Sequence, residues 1–255
     1  MRYLIISDIH ANLEALEATL AAANAYDRVL VLGDLVGYGA DPNAVIERVR
    51  SLPSAAIIRG NHDKVGAGLE DVEGFNHLAR FAIAWTAATL TSENRAWLAA
   101  LPKGPLAIDD DVEICHGTPF DEDVYVFDEL DALRAIRAAR RPLCFFGHTH
   151  VPAIFRLHAA GRFMARLRGD GELEMLGPPR SMPFSFEVRD GSHLVNCGAV
   201  GQPRDGDPRA AFGMFDSGTR TLTMMRAVYD IAAAQAKIVG AGLPEVLAQR
   251  LAVGR

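Results

Sequence analysis

The sequence predicts an α/β protein, and three observations carry that reading. Its first sixty residues alternate apolar runs and amphipathic stretches in a βαβαβ order. Hydrophobic residues make up 49% of the chain but aromatics only 7%, with much of the remainder Ala, which suits helices packed on a sheet. After residue 150 the pattern changes to short strand-like runs separated by Gly, Pro and Asp turns.

Residues 2–7 form an apolar run ending in Ser7-Asp8, as a buried strand feeding a loop would. Leu13, Leu16 and Leu20 then recur at helical spacing. Residues 28–32 read as a second strand ending at Gly33-Asp34, and 42–50 as a second helix with Pro42 in its first turn. Residues 55–59 read as a third strand, followed by Gly60-Asn61-His62-Asp63 as a loop. This order implies a parallel sheet with right-handed crossovers.

A helical region covers about 75–100 and stops at Pro102. Strands follow near 105–109 and 112–115, then a helix near 129–139 and a strand at 143–146 that ends in Gly147-His148-Thr149-His150. Turns at Ala160-Gly161, Gly169-Asp170-Gly171, Asp190-Gly191 and Ser217-Gly218 predict antiparallel hairpins over 151–226, with 177–183 as a loop between them. One or two helices close the chain over 230–252. No repeat or low-complexity linker interrupts it, so residues 1–255 are expected to form a single domain.

Composition excludes several classes. Lys and Arg number 26 against 32 Asp and Glu, a net charge of −6, so neither stable nucleic-acid binding nor an anionic membrane partner is expected. There is no apolar run of about 18 residues, the length a membrane helix needs. The N-terminal stretch meets charge too early for a signal peptide. Cys115, Cys144 and Cys197 are odd in number, far apart and set in apolar runs, as expected of buried thiols in a reducing cytoplasm. Arg134, Arg137, Arg140 and Arg141 read as a solvated helix face. The expectation is a cytoplasmic protein of undetermined oligomeric state.

Five segments end apolar strands with residues that can hold metals: Asp8-x-His10, Gly33-Asp34, Gly60-Asn61-His62-Asp63, His116-Gly117 and Gly147-His148-x-His150. In α/β sheets ligands gather at the carboxyl ends of strands, so these residues are expected to converge. Asp8, His10, Asp34, Asn61, His116, His148 and His150 supply seven oxygen and imidazole side chains. One catalytic ion needs three or four protein ligands; seven suit two ions that share a carboxylate. Prominent imidazole favours Mn²⁺, Fe²⁺, Zn²⁺ or Ni²⁺ over Ca²⁺. His77, His158 and His193 fall outside the pattern and read as surface or structural residues.

Ser7-Asp8-Ile9-His10-x-Asn12, Gly33-Asp34-x-x-Gly37, Gly60-Asn61-His62-Asp63, His116-Gly117 and Gly147-His148-Thr149-His150 resemble, in order and spacing, the calcineurin-like metallophosphoesterases. The later Asn196-x-Gly198-x-x-Gly201-Gln202-Pro203-Arg204-Asp205 resembles their small stand-alone bacterial and archaeal phosphodiesterases. The resemblance implies a four-layer α/β/β/α sandwich with two central mixed β-sheets. It implies that Asp8, His10, Asp34 and His150 hold one ion, that Asp34, Asn61, His116 and His148 hold the other, and that Asp34 bridges. The cofactor would be two divalent ions, Mn²⁺ first, with Fe, Zn, Ni or Mg also compatible. His62 would face the substrate, protonating the leaving oxygen or stabilising the phosphate.

The sequence departs from eukaryotic-type protein phosphatases, whose pattern continues Gly-Asp-x-x-Asp-Arg-Gly with an Arg gripping the phosphate. Here the run is Gly33-Asp34-Leu35-Val36-Gly37-Tyr38-Gly39. Arg204, in a Gly-Pro-rich loop, could supply a bidentate phosphate contact from the other side; the alternative is an Arg paired with Asp205 or Asp207 to brace its loop. The function the resemblance implies is hydrolysis of small phosphodiesters, with phosphomonoesters as a second substrate class, by two-metal activation of a bridging water. A metal-binding scaffold on the same fold and a nucleotide or dinucleoside polyphosphate hydrolase remain alternatives. A scaffold would be expected to lack ligands or His62, and all are present. Gly39-Ala40-Asp41, Gly66-Ala67-Gly68 and 177–183 are candidate rim loops.

Overall fold

The computed structural model describes residues 1–158, 173–175 and 182–255. Strands β1 (Arg2–Ile6), β2 (Arg28–Val31) and β3 (Ala55–Ile57) alternate with helices α1 (Leu13–Ala22) and α2 (Pro42–Arg50). Helices α3 (Asn61–Gly66), α4 (His77–Thr89) and α5 (Ser92–Ala99) follow, then β4 (Leu106–Ala107), β5 (Val112–Ile114), α6 (Glu129–Ala138) and β6 (Leu143–Phe146). The rest comprises β7 (Ala153–Leu157), β8 (Leu173–Met175), β9 (Phe184–Glu187), β10 (Ser192–Asn196), β11 (Ala210–Asp216), β12 (Thr221–Ala227), α7 (Ile231–Gly240) and α8 (Glu245–Leu251).

The strands form two six-stranded mixed sheets, ordered β3-β2-β1-β11-β12-β9 and β4-β5-β6-β10-β7-β8. β1, β2 and β3 pair in parallel, as do β5, β6 and β10, so both sheets send several strand ends the same way. The period of two along each strand builds the layers. Leu4 and Ile6 of β1 join a core with Leu16, Val45, Ile83, Ile238 and Leu247 from the helices, whereas Tyr3 and Ile5 face the second sheet and pack with Phe145, Val195 and Phe215. In β6, Leu143 and Phe145 point between the sheets while Cys144 and Phe146 pack against Ala132, Ala135 and Ile136 of α6. The result is the expected α/β/β/α sandwich.

One expectation is refined and two change. The region 75–100 is two helices, because Leu90 is extended and Thr91 caps α5, its Oγ1 accepting from Asn94 N at 3.1 Å. Residues 61–63 begin helix α3 instead of continuing a loop, because the Asp63 carboxylate accepts from Gly60 N at 2.9 Å and caps the first turn. The hairpin reading holds for β11 and β12, but across Asp190-Gly191 the chain passes from β9 in the first sheet to β10 in the second, where β10 pairs in parallel with β6. An alternating pattern does not say which sheet a strand joins. The predicted turns at 160–161 and 169–171, and 177–181 of the predicted loop, lie outside the described residues. All three cysteines are buried free thiols, and no described helix is long and apolar enough to cross a membrane.

Candidate metal centre

The seven predicted ligands converge from both sheets. Asp8 and His10 follow β1, Asp34 follows β2, Asn61 opens α3 after β3, His116 follows β5, and His148 and His150 follow β6. All seven are at most 6% exposed. Five of them hold left-handed backbone: Asp8 (φ 53°), His10 (48°), Asp34 (54°), His148 (67°) and His150 (60°). Each such residue costs about 1–3 kcal/mol, and such strain concentrates at functional sites. Hydrogen bonds between neighbouring loops hold it, Asp8 N donating to Gly33 O at 3.1 Å and His10 N to Asp34 O at 2.9 Å.

Asp8, His10, Asp34 and His150 bring four ligand atoms within 4.8 Å of one another, and Asp34, His116 and His148 form a second such group. Asp34 belongs to both. Asn61 Oδ1 lies 3.1 Å from His116 Nε2 and so joins the second.

The imidazoles are set in defined tautomers. Nδ1 of His10 faces Val36 O at 3.0 Å, that of His116 faces Leu32 O at 2.8 Å, and that of His150 faces Gln202 O at 2.6 Å. A carbonyl only accepts, so each Nδ1 carries a proton, and where the ring is neutral, as burial makes His10 and His150, Nε2 turns a lone pair inward. His148 is reversed: Nε2 donates to Asp123 O at 3.1 Å, leaving Nδ1 as its ligand atom. Acceptors therefore face acceptors. His10 Nε2 and His150 Nε2 stand 3.1 Å apart, and Asp34 Oδ2 lies 3.6 Å from His10 Nε2.

The protonation directions agree with this. Burial drives His10 and His150 well below the usual imidazole range and His148 down to about 3. Burial also raises Asp8 to about 6. His116 is the exception: burial opposes its charge, but the Asp34 carboxylate beside it pushes it up to about 10, so a proton does there part of what a cation would do. Burial likewise works against Asp34, yet His116 holds it well below the usual carboxylate range. A donor set of carboxylates, neutral imidazoles and an amide oxygen around a shared carboxylate fits two divalent ions.

Several supporting residues carried no assigned role in the sequence reading. A Cβ on Gly60 would strike Asp34 and approach His116 Cε1 to 2.7 Å, so only glycine lets these two side chains close together. Asp63 Oδ1 accepts from Leu35 N at 2.8 Å, tying α3 to the Asp34 loop. Asn196 Nδ2 donates to Gly147 O at 2.8 Å and to Thr149 Oγ1 at 2.9 Å, which braces the His148–His150 turn. The capping spacing Gly60-x-x-Asp63 was the available signal for Asp63.

His62 is buried beside the cluster. Its ring lies 4.6 Å from both Tyr38 and Phe75 and 4.8 Å from His10, and its backbone N donates to Asp34 Oδ1 at 2.9 Å. Its Nδ1 is shut off from water without a partner among the described residues. Burial lowers it to about 4, opposed by Asp34 and reinforced by Arg204. Tyr38 stands where the eukaryotic-type pattern has Arg, and the Arg204 guanidinium lies over its ring, 5.6 Å from the centroid. Asp205 and Asp207 do not hold Arg204: they pair with Arg226 and Arg209.

On the Asn61 and His148 side a cavity of about 230 Å³ opens, lined by Lys64, Glu70, Asp71, Phe75, Asp123 and Tyr125 among others. Tyr125 stacks on His148 at 3.7 Å. The rim thus comes from 70–75 and 123–125, whereas Gly66 and Ala67, proposed from sequence, are buried. His77 is exposed, His158 pairs with Glu174 at 2.9 Å, and His193 is buried in β10; none joins the cluster.

Comparison with known proteins agrees with this geometry. The family model of the calcineurin-like phosphoesterase superfamily domain matches residues 1–220. An uncharacterized protein of Methanocaldococcus jannaschii is 33% identical over 258 residues, covering 98% of this chain and 97% of that protein. The crystal structure of a metallophosphoesterase from Sphaerobacter thermophilus is 41% identical, with a TM-score of 0.84 over 100% of this chain and 99% of that one. A hypothetical protein from Pyrococcus horikoshii shares the fold, with a TM-score of 0.76 at 18% identity over 100% and 98% of the two chains. With the motifs, both sheets and the convergent Asp and His side chains in agreement, the chain belongs to the calcineurin-like phosphoesterase superfamily.

Proposed function

We propose that this protein is a dinuclear metal-dependent phosphoesterase of the cytoplasm that hydrolyses small phosphodiesters and also accepts phosphomonoesters, with Mn²⁺ the first choice of ion. One observation carries the reading: the buried lone pairs of His10 and His150 face each other at 3.1 Å, and the Asp34 carboxylate stands 3.6 Å from that of His10. Unmet acceptors this close repel, and cations between them remove the repulsion. Divalent ions there would supply Lewis-acid charge for in-line displacement by water.

Asp8, His10, Asp34 and His150 would hold one ion and Asp34, Asn61, His116 and His148 the other. Asn61 is a neutral ligand, so two carboxylates against two divalent ions leave about +2 to attract a phosphate. His62 would donate to the leaving oxygen, and Arg204 would contact the non-bridging oxygens.

Chelation followed by dialysis should abolish hydrolysis of a chromogenic phosphodiester, and added Mn²⁺ should restore it. Full activity in protein shown to be metal-free by elemental analysis would end the proposal.

Arg204→Lys keeps the charge and loses the planar fork. We expect kcat/KM to fall about tenfold or more, the scale of one charge-assisted hydrogen bond. Thermal stability should be unchanged. A lower melting temperature with unaltered kinetics would instead make Arg204 a loop brace.

A further inference from the structure

We infer that Arg250, on helix α8, joins Arg204 to form a subsite for a second phosphate on the substrate, carried by the ester arm that lies over Tyr38. The inference rests on the phosphoesterase reading and adds a substrate class to it. The two guanidiniums come from distant parts of the chain and meet at one ring: Arg204 Cζ lies 5.6 Å and Arg250 Cζ 5.9 Å from the Tyr38 centroid. That ring is 4.7 Å from His10 and 4.6 Å from His62, so both cations stand one side chain away from the reacting centre.

Neither guanidinium meets an Asp or Glu side chain among the described residues. Arg204 donates to Gln202 Oε1 at 2.9 Å, and its Nε is buried without a partner. Arg250 donates from Nε to the main-chain oxygen of Arg255 at 3.0 Å, and its terminal nitrogens make no hydrogen bond among the described residues. Carboxylates are close at hand in the same loop, yet they serve other arginines, Asp205 pairing with Arg226 and Asp207 with Arg209. Attraction to the face of one buried tyrosine does not account for two like charges there, since each guanidinium also repels the other. Burial and the charge of Arg204 both disfavour the charged form of Arg250. An anion gathered by both forks would relieve this cost.

The opposite mouth repels such a group. Glu70, Asp71 and Asp123 line it, and its Lys64 amine is already held by Glu70 and Asp123 at 2.5 Å and by Glu122 at 3.6 Å. The phosphate of a diester carries one negative charge, and two ions with Arg204 already meet it. Arg250 is surplus for that group and matches a further phosphate on the Tyr38 side only.

The test uses two chromogenic diesters with one leaving group: thymidine 5′-(p-nitrophenyl phosphate), and the same compound bearing a 3′-phosphate. With Mn²⁺-loaded protein we expect kcat/KM to favour the 3′-phosphorylated ester about tenfold, mostly through KM. Arg250→Gln should bring that ratio near one, and Arg250→Lys should keep part of it. Equal values in the wild type would overturn the inference. So would a ratio preserved in Arg250→Gln, or equal losses on both esters, which would mean that Arg250 serves the reacting phosphate. Should Arg250→Gln fail to fold, Arg250→Lys and raised salt carry the same comparison, since screening should shrink the ratio. If neither ester is cleaved, the phosphoesterase reading fails by itself. Calorimetric affinities of the two intact esters then decide the subsite, tighter binding of the 3′-phosphorylated one supporting it and equal affinities overturning it.

Discussion

Asp34→Asn is expected to remove both ions and to lower kcat at least about 10³-fold, since losing several kcal/mol of metal-derived charge stabilisation has that effect. The residue is 1% exposed and is the one member common to both ligand groups. Its Oδ1 accepts from His62 N at 2.9 Å, and its Oδ2 faces His10 Nε2 and His116 Nε2. Asparagine keeps the shape and one oxygen, so the loop should fold, but the charge both ions share is lost. His10 belongs to one group only. His10→Gln should therefore retain close to one ion per chain where Asp34→Asn retains close to none. Elemental analysis after dialysis distinguishes them: two ions kept in Asp34→Asn, or equal loss of both in His10→Gln, would sink the shared-carboxylate assignment.

The candidate ligands were legible because each sits where an apolar run breaks into polar residues, and parallel strands deliver such breaks to one edge. That rule places Asp8, Asp34, His116 and His148 without three-dimensional information. It does not divide seven side chains between two ions; only the resemblance did so in sequence, and in the fold Asp8, His10, Asp34 and His150 cluster, as do Asp34, His116 and His148. Asp63 was visible in a motif, but its role as the cap joining Gly60 to the Asp34 loop depends on a tertiary contact. Arg250 was not legible at all. In sequence it is a charged residue near the end of an amphipathic helix, and only the packing of α8 brings it to Tyr38. Strand geometry sends Leu4 and Ile6 to one face of β1 and Tyr3 and Ile5 to the other, but in a continuous apolar run only the fold shows which face meets the helices and which the second sheet. The sheet that β9 or β10 joins could not be read either: β9 alternates half-buried with exposed residues and β10 is buried along nearly its whole length, and neither pattern names a partner strand.

His62→Ala is expected to leave metal content near that of the wild type while lowering kcat by about 10²–10⁴-fold on esters with poor leaving groups, the range a positioned acid or base supplies. The separation follows from how the residue is held. Its backbone N–H anchors Asp34, and alanine keeps that bond. Its ring is fixed by packing between Tyr38 and Phe75, not by a hydrogen bond at Nδ1. A donor to the leaving oxygen matters most when that oxygen departs as a strong base, so the deficit should shrink for p-nitrophenyl esters and grow for alkyl esters. His62→Leu separates chemistry from packing, since it fills similar space and donates nothing. If His62→Leu restores the activity that His62→Ala loses, the ring serves only to pack Tyr38 and Phe75. If both variants lose activity in proportion to leaving-group basicity with metal content intact, the imidazole N–H acts on the departing oxygen, and the loss is then one of transition-state stabilisation alone.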